Sequence, residues 1–465
     1  MKSQFLGGAY TVESLSAETC VNLVLEPDET GRGMEGFYGA PGLVRRMALD
    51  GAGHRGSIVA GGFLWQVVGA SIYRIAKGFT ATLVGTLPTS TGPVGMAQNG
   101  VQIAVADAAG WHVAPLATGV FALVEDSPKT GDISFIDNFA VGANENGTYS
   151  WSNVGDFSIV DGLSFASAEG HPDPILRTIS DHREALMFGS ASIEVFVVTG
   201  ESDQPFTRTQ FVEQGILAPK SAAKEDNSVL FLGANESGQG VVYRMDGYVP
   251  RRVSTLALEK AIEGYANPQA ATAYTYQQDG HHFYVLCFAE ATWAFDLNTG
   301  LWSQRAWMQP ATGELKAHRA VTHAFFDGLH VVGDRADGRL YTLETTATTD
   351  DGDPIYRERV WPQRESENRL VAVTRGELIA AMGVGLNDGA PDAVDPQVWL
   401  SWSFNEGLTW SNERARSLGR IGRFNTRAVW WGLGASRTRW YRIRSTAPVR
   451  HVWKAFNFEA TGGNA

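Results

Sequence analysis

The chain has 465 residues, of which 44% are hydrophobic and 19% charged, a balance that excludes a disordered polymer and supplies a sizeable core. Its formal charge of −12 is uneven. Residues 1–354 carry twenty-two Lys and Arg against forty Asp and Glu, while residues 355–465 carry sixteen against ten, so the acidic bulk argues against general nucleic-acid affinity. The two cysteines, Cys20 and Cys287, are far apart and form no CxxC or CxxH pattern, which excludes a disulfide framework and argues against a zinc site; such usage fits assembly in a reducing cytoplasm.

The opening Met1-Lys2-Ser3-Gln4-Phe5-Leu6 has no apolar signal core. The uncharged run 56–73 contains a double glycine and Gln66 and falls short of the ~20 apolar residues of a spanning helix. A soluble chain without membrane insertion is therefore expected. Residues 1–50 read as an extended N-terminal arm with a Gly- and Pro-rich segment, Gly36 to Gly42. It can close a sheet by strand addition or reach a neighbouring subunit.

From residue 51 a repeat sets in. Turn signals recur at Gly61-Gly62, Asn99-Gly100, Asp137-Asn138, Asp181-His182, Asp226-Asn227, Asp279-Gly280 and Asp327-Gly328. Each is followed by a short apolar run such as Phe63 to Val68, and then by a second strand that usually carries an aromatic, such as Arg339 to Thr342. Asp-Gly and Asn-Gly between apolar runs favour tight hairpins, because the I′ turn needs positive φ at both central residues. Seven such units at blade-like spacing predict an all-β protein, a β-propeller of about seven blades over 51–345. Ser254-Thr255 caps a predicted helix over Leu256 to Glu263, an insertion between blades.

The Thr- and Asp-rich stretch 346–354 reads as a solvated hinge, although Asp350, Asp351 and Asp353 could also hold a hard cation. Beyond it, residues 355–465 predict a C-terminal β-sandwich with strands at Tyr356 to Trp361, Arg369 to Thr374, Leu378 to Met382, Val398 to Trp402, Ala428 to Trp431 and Trp440 to Ile443. Alternation in the last puts Tyr441 and Ile443 on one face and Arg442 and Arg444 on the other.

Ser403-Phe404-Asn405-Glu406-Gly407-Leu408-Thr409-Trp410 matches the Asp-box hairpin, a folding element in which Asn405 bonds local backbone and Gly407 supplies positive φ. Glu169, Asp173 and Asp181 could form a glycosidase carboxylate pair, but the surrounding prolines favour an interblade loop. His318 and His323 stand five apart and make a poor metal pair on a strand. No GxSxG, HExxH, P-loop or nucleotide-type GxGxxG occurs. No catalytic residue, cofactor or metal is assigned, and a binding or assembly role is favoured over an enzyme. The densest charge cluster is Arg414, Arg416, Arg420, Arg423, Arg427, Arg437, Arg439, Arg442 and Arg444, interleaved with Trp430, Trp431 and Trp440. Arginine with tryptophan is interface composition, so this face is the candidate interaction surface.

The order of several segments resembles the packaged-DNA stabilisation proteins, or tail hub and nozzle proteins, of short-tailed bacteriophages. They are Cys20 to Leu23, Phe37 to Leu43, Gly189 to Phe196, Pro205-Phe206, Gly215 to Ser221, Gly247 to Thr255 and Ser417 to Phe424. The resemblance implies a virion structural protein, with six copies forming a ring below the portal and its adaptor. The ring is plugged by a needle or further tail protein, flanked by spikes or fibres, and lets genomic DNA pass without specific binding. The alternatives are a propeller-type carbohydrate-binding adhesin or a glycosidase of a phage tail.

Overall fold

The computed structural model describes residues 18–27, 34–168, 173–201, 204–235, 237–363 and 369–462. Each of the seven turns joins the first and second strands of a four-stranded antiparallel unit. The units cover residues 54–86, 95–123, 134–166, 175–212, 223–252, 272–308 and, with a partner strand from the arm, 320–344. They are blades one to seven of a propeller.

Six of the turns hold both central residues at positive φ, as the hairpin chemistry requires: Asp226 and Asn227 lie at +47° and +58°, Asp327 and Gly328 at +51° and +77°. At the second turn only Gly100 is positive, and the Asn99 side-chain oxygen instead accepts from the amides of Val101 and Gln102. The fourth turn is displaced by one residue to His182-Arg183. Asp181 remains in the strand, paired with Glu184, and its carboxylate binds His182 and Lys224. Two non-glycine residues tolerate left-handed backbone here because both are tied to adjacent turns, Arg183 to Asp137 at 2.8 Å and His182 to Asn227.

Blade seven has three strands of its own, and the arm supplies the fourth. Gly42–Ala48 pairs antiparallel with Arg339–Glu344, Leu43 opposite Leu343. Of the two possibilities for the arm, residues 42–48 take strand addition; residues 1–17 lie outside the described residues. The acidic stretch that reads as a solvated hinge is pinned to this same strand. Thr349–Asp350 runs parallel to it, and Asp350 accepts from the Leu43 amide at 3.2 Å. Asp351 pairs with Arg45 and Arg339, and Asp353 accepts from Trp307 Nε1 at 2.9 Å. Burial pushes the Asp350 carboxyl up to about 7.

The rest of the arm belongs to the sandwich. Thr19–Val21 lies parallel to Leu301–Met308 of blade six and antiparallel to Arg357–Pro362. One sheet thus runs from blade six through the arm into Arg357–Pro362, Trp440–Ser445, Gln397–Ser403 and Arg414–Ser417. The facing sheet takes Leu23–Pro27 and Met34–Gly39 from the arm, then Val452–Gly462, Val371–Ala380 and Ala428–Trp431. The two strands predicted around Arg369–Met382 are one continuous strand.

Asn22 makes the corner between these sheets. At φ +50° its side-chain amide donates to the Ala306 carbonyl (2.7 Å) and the Tyr356 carbonyl (2.8 Å), and its oxygen accepts from the Ala306 amide (3.0 Å). Beside it, fully buried Arg359 donates to Glu18 at 2.6 Å. The hydrophobic core follows the same path. Leu230, Leu232 and Tyr284 between blades five and six are continuous with Cys20, Leu23 and Phe37 of the arm and with Trp361, Trp430, Trp453 and Phe456 of the sandwich. The predicted helix, Leu256–Glu263, is capped by the Thr255 hydroxyl and directs Leu258 and Ile262 into this core. Among the described residues no helix is long and apolar enough to cross a membrane.

Asn22→Ala strands buried backbone partners in blade six and at the start of the sandwich and is expected to lower unfolding free energy by about 3 kcal/mol in urea titration. His281 of blade six holds Asp296 (2.8 Å) and Glu26 of the arm (3.0 Å), and these carboxylates raise its pKa to about 9. A raised histidine stabilises below its unfolded pKa and loses that contribution as pH rises through about 9. His281→Gln should therefore be destabilising at pH 6, by up to about 3 kcal/mol, and approach wild type at pH 10, read from thermal melts.

Candidate interaction surface

The nine arginines do not form one exposed face. In Trp440–Ser445 the alternation is as expected: Tyr441 and Ile443 are buried, while Arg442 and Arg444 turn outward. Both outward groups are consumed locally. They converge on Glu413, and they stack on Trp410 (4.6 Å) and Trp399 (5.7 Å).

Arg414 and Arg416 close the edge of the sandwich. From the last strand of one sheet they donate to the carbonyls of Trp431 (2.8 Å) and Val429 (2.6 Å) on the other, and Trp430 Nε1 returns a bond to the Arg414 carbonyl at 2.7 Å. Arg427 forks onto Glu377. Arg437 is exposed.

Arg439 departs from the expected surface role. It is buried at 2% exposure, donates to the Gly434 carbonyl at 2.8 Å and lies over the Phe404 ring at 5.3 Å. Strand alternation fails to find this, because Arg439 precedes the strand and its guanidinium turns onto Phe404 of the Asp-box loop.

Arg420 and Arg423 remain. Among the described residues their guanidinium groups have no side-chain partner, and they flank the exposed Ile421 and Phe424, the latter 74% accessible. The loop is nonetheless anchored. Gly383 and Gly385 donate to the carbonyls of Leu418 (2.8 Å) and Gly419 (3.0 Å), and Thr426 donates to the Arg423 carbonyl. Gly383, at φ +74°, packs so close to Phe424 and the Arg423 backbone that a side chain there would collide. The presented surface thus narrows to an ordered loop, residues 420–424, with two free cations and two free apolar groups.

The other candidates are structural. Ser403 and Asn405 bond within the Asp-box turn, Asn405 Oδ1 accepting from the Thr409 amide at 2.9 Å, with Gly407 at φ +87°. Asp173 caps the Gly189–Ser192 corner by accepting from the amides of Ala191 and Ser192 and the Ser192 hydroxyl. Glu169 lies outside the described residues. His318 is buried and His323 half-buried; desolvation drives each pKa down to about 3, and His323 meets His330 at 3.1 Å.

Two cavities were not foreseen. One, of about 660 Å³, lies on the seam where Glu26, Tyr38, His281, Arg357 and His451 meet. The other, of about 540 Å³, lies on the propeller axis and is lined by residues of blades one, two, four, six and seven. The short 3-10 turn Pro219–Ser221 contributes Lys220 to its lining, and Lys220 crosses to the Gly131 carbonyl. The turn is part of the segment Gly215 to Ser221. Of the other charged lining groups, Arg55 and Arg177 lie near the start of a blade and Arg335 follows the second strand of blade seven, so they are scattered along the sequence.

Residues 1–348 match the family model described as bacteriophage P22 Gp10, beta-propeller, and residues 356–461 match the model described as bacteriophage P22 Gp10, beta-sandwich. The chain belongs to the bacteriophage P22 Gp10 family. This is the packaged-DNA stabilisation, or tail hub, family that the sequence resembles, and its members are phage virion structural proteins. The Gp10 propeller and sandwich models fall on the two architectures described above, a seven-bladed propeller and a two-sheet sandwich. No curated protein matches the chain. Among solved structures, it is similar to virginiamycin B lyase from Staphylococcus aureus (11% identity, TM-score 0.44, 64% of this chain and 98% of that one). It is also similar to the Neurospora crassa Pan2 WD40 domain (11% identity, TM-score 0.43, 66% and 95%).

Arg439→Ala should destabilise the protein by about 3 kcal/mol through lost packing, whereas Arg420→Ala and Arg423→Ala should stay within about 0.5 kcal/mol of wild type. Chemical denaturation of the three variants checks the division between core and surface arginines.

Proposed function

We propose that this chain is the subunit of a hexameric tail hub, or nozzle, that extends the portal-adaptor channel, helps retain packaged DNA and becomes the conduit for its ejection. The observation that carries this reading is the match of both Gp10 models, in order, across nearly the whole chain. A second observation bears on where the DNA runs. Lys220 of Pro219–Ser221 crosses the axial cavity of a single propeller to the Gly131 carbonyl, which supports a conduit for duplex DNA that lies between copies rather than through one.

The surface chemistry suits such a ring. Head-to-tail closure needs two different patches on each subunit. One set of exposed apolar side chains lies at the rim of blades two and three: Val120, Leu123, Ile159, Leu163 and Phe165. A separate set lies on the sandwich with Ile421 and Phe424. Loop 420–424 is the contact we assign to another virion component, the adaptor or a neighbouring hub subunit, because free arginine beside exposed aromatic and aliphatic groups is what interface centres use. The acidic body leaves phosphates ungripped, so DNA slides. A gripping channel with ~6–10 phosphate contacts would instead lose ~10³–10⁵ in affinity between 50 and 200 mM salt.

Electron microscopy of the purified protein, alone and with portal-adaptor complexes, tests the reading. A six-fold ring is expected, and docking should be lost in an Arg420→Glu, Phe424→Ser double variant that keeps wild-type stability. A monomer that ignores the adaptor and instead binds or cleaves host glycans would overturn it, as would nanomolar, steeply salt-dependent DNA affinity.

A further inference from the structure

The axial cavity is cationic in an acidic protein. Its charged lining residues are Arg55, Arg177, Lys220 and Arg335, and no carboxylate lines it. Three of the four cations lack an acidic hydrogen-bond partner. Arg55 donates to the carbonyls of Gly69, Thr89, Thr91 and Gly92 and to the Thr89 hydroxyl. Arg335 donates to the carbonyls of His318 (2.8 Å) and Phe288 (3.0 Å). Lys220 reaches the Gly131 carbonyl. Arg177 alone has a carboxylate, Asp132, which is itself buried and occupied by the Ala143 and Thr178 amides and the Thr178 hydroxyl.

Neutral carbonyls orient a guanidinium without cancelling its charge, so the field of these groups converges on the cavity. Lys220 registers that field: burial and the nearby Arg177 lower its pKa to about 7. An independent sign of a missing ligand lies in the same lining. Arg177 Nε and Thr322 Oγ1 are buried and have no hydrogen-bond partner, although buried polar atoms are nearly always satisfied.

We infer that the axial cavity is a binding site for a phosphate-class polyanion, held by Lys220, Arg177 and Arg335 with hydroxyl donors such as Thr322, while Arg55, whose five N–H groups are already taken by the protein, adds only its charge. Cations on several blades together with hydroxyls call for an acceptor with many oxygens in three dimensions, which a planar carboxylate lacks. The phosphate can come from a free small molecule or from a phosphodiester end.

Calorimetric titration of the full chain with sodium pyrophosphate at matched ionic strength tests the site. One saturable event per chain is expected. Lys220→Gln should weaken it by about tenfold or more and Lys220→Arg should retain it; Arg335→Gln gives a second reading should Lys220→Gln fail to fold. Displacement of pyrophosphate by a short single-stranded oligonucleotide supports the site with a phosphodiester as its source, and failure to displace supports it with a free phosphate compound. Absence of saturable binding at millimolar pyrophosphate, equal affinity for citrate, or affinity unchanged in both Lys220→Gln and Arg335→Gln overturns the inference.

Discussion

The fold depends on one short seam, the three-residue strand Thr19–Val21 and the Asn22 corner that follows it. Thr19–Val21 pairs on one side with blade six and on the other with the first sandwich strand of 355–465. Asn22 satisfies backbone groups of both. A polar corner buried this deeply is stable only when every group finds its partner. Here the chain then divides its labour: Leu23–Pro27 and Met34–Gly39 build the second sandwich sheet, and Gly42–Ala48 completes blade seven. Ring closure and sandwich assembly therefore use the same thirty residues.

This arrangement explains why the core is not divided where the sequence composition changes. Apolar packing between blades five and six continues through Cys20, Leu23 and Phe37 into the tryptophan-rich centre of the sandwich. The helix at Leu256–Glu263 supports that junction from the propeller side. Its buried face is committed to packing, which leaves it little to offer a partner. The acidic stretch after blade seven is likewise drawn in by Leu43, Arg45 and Trp307.

The propeller was legible because its turns are local. Positive φ at Asp-Gly, Asp-Asn and Gly-Gly pairs is a property of two residues, and five such pairs fall at the same place in five of the seven blades. The fourth turn was misplaced by one residue because His182 and Arg183 adopt left-handed backbone only with support from Asn227 and Asp137, more than forty residues away. The Asp-box was legible for the same local reason. The arm was not: Thr19–Val21 has no periodicity of its own, and its partners lie some 280 and 340 residues further on. The arginine cluster was half legible. Composition marked the region, but only packing separates Arg439 in the core and Arg414 and Arg416 at the sheet edges from Arg420 and Arg423 in open solvent. The axial cations left almost no trace, since blades far apart in sequence bring them together.

Native-state hydrogen exchange, followed by mass spectrometry, addresses the shared seam most directly. If propeller closure and sandwich assembly are one cooperative unit, amides in Gly42–Ala48, Met34–Gly39 and Trp440–Ser445 should show the same opening free energy and the same denaturant dependence. A sandwich that exchanges well below the free energy of blade seven, with the propeller still protected, would contradict the account.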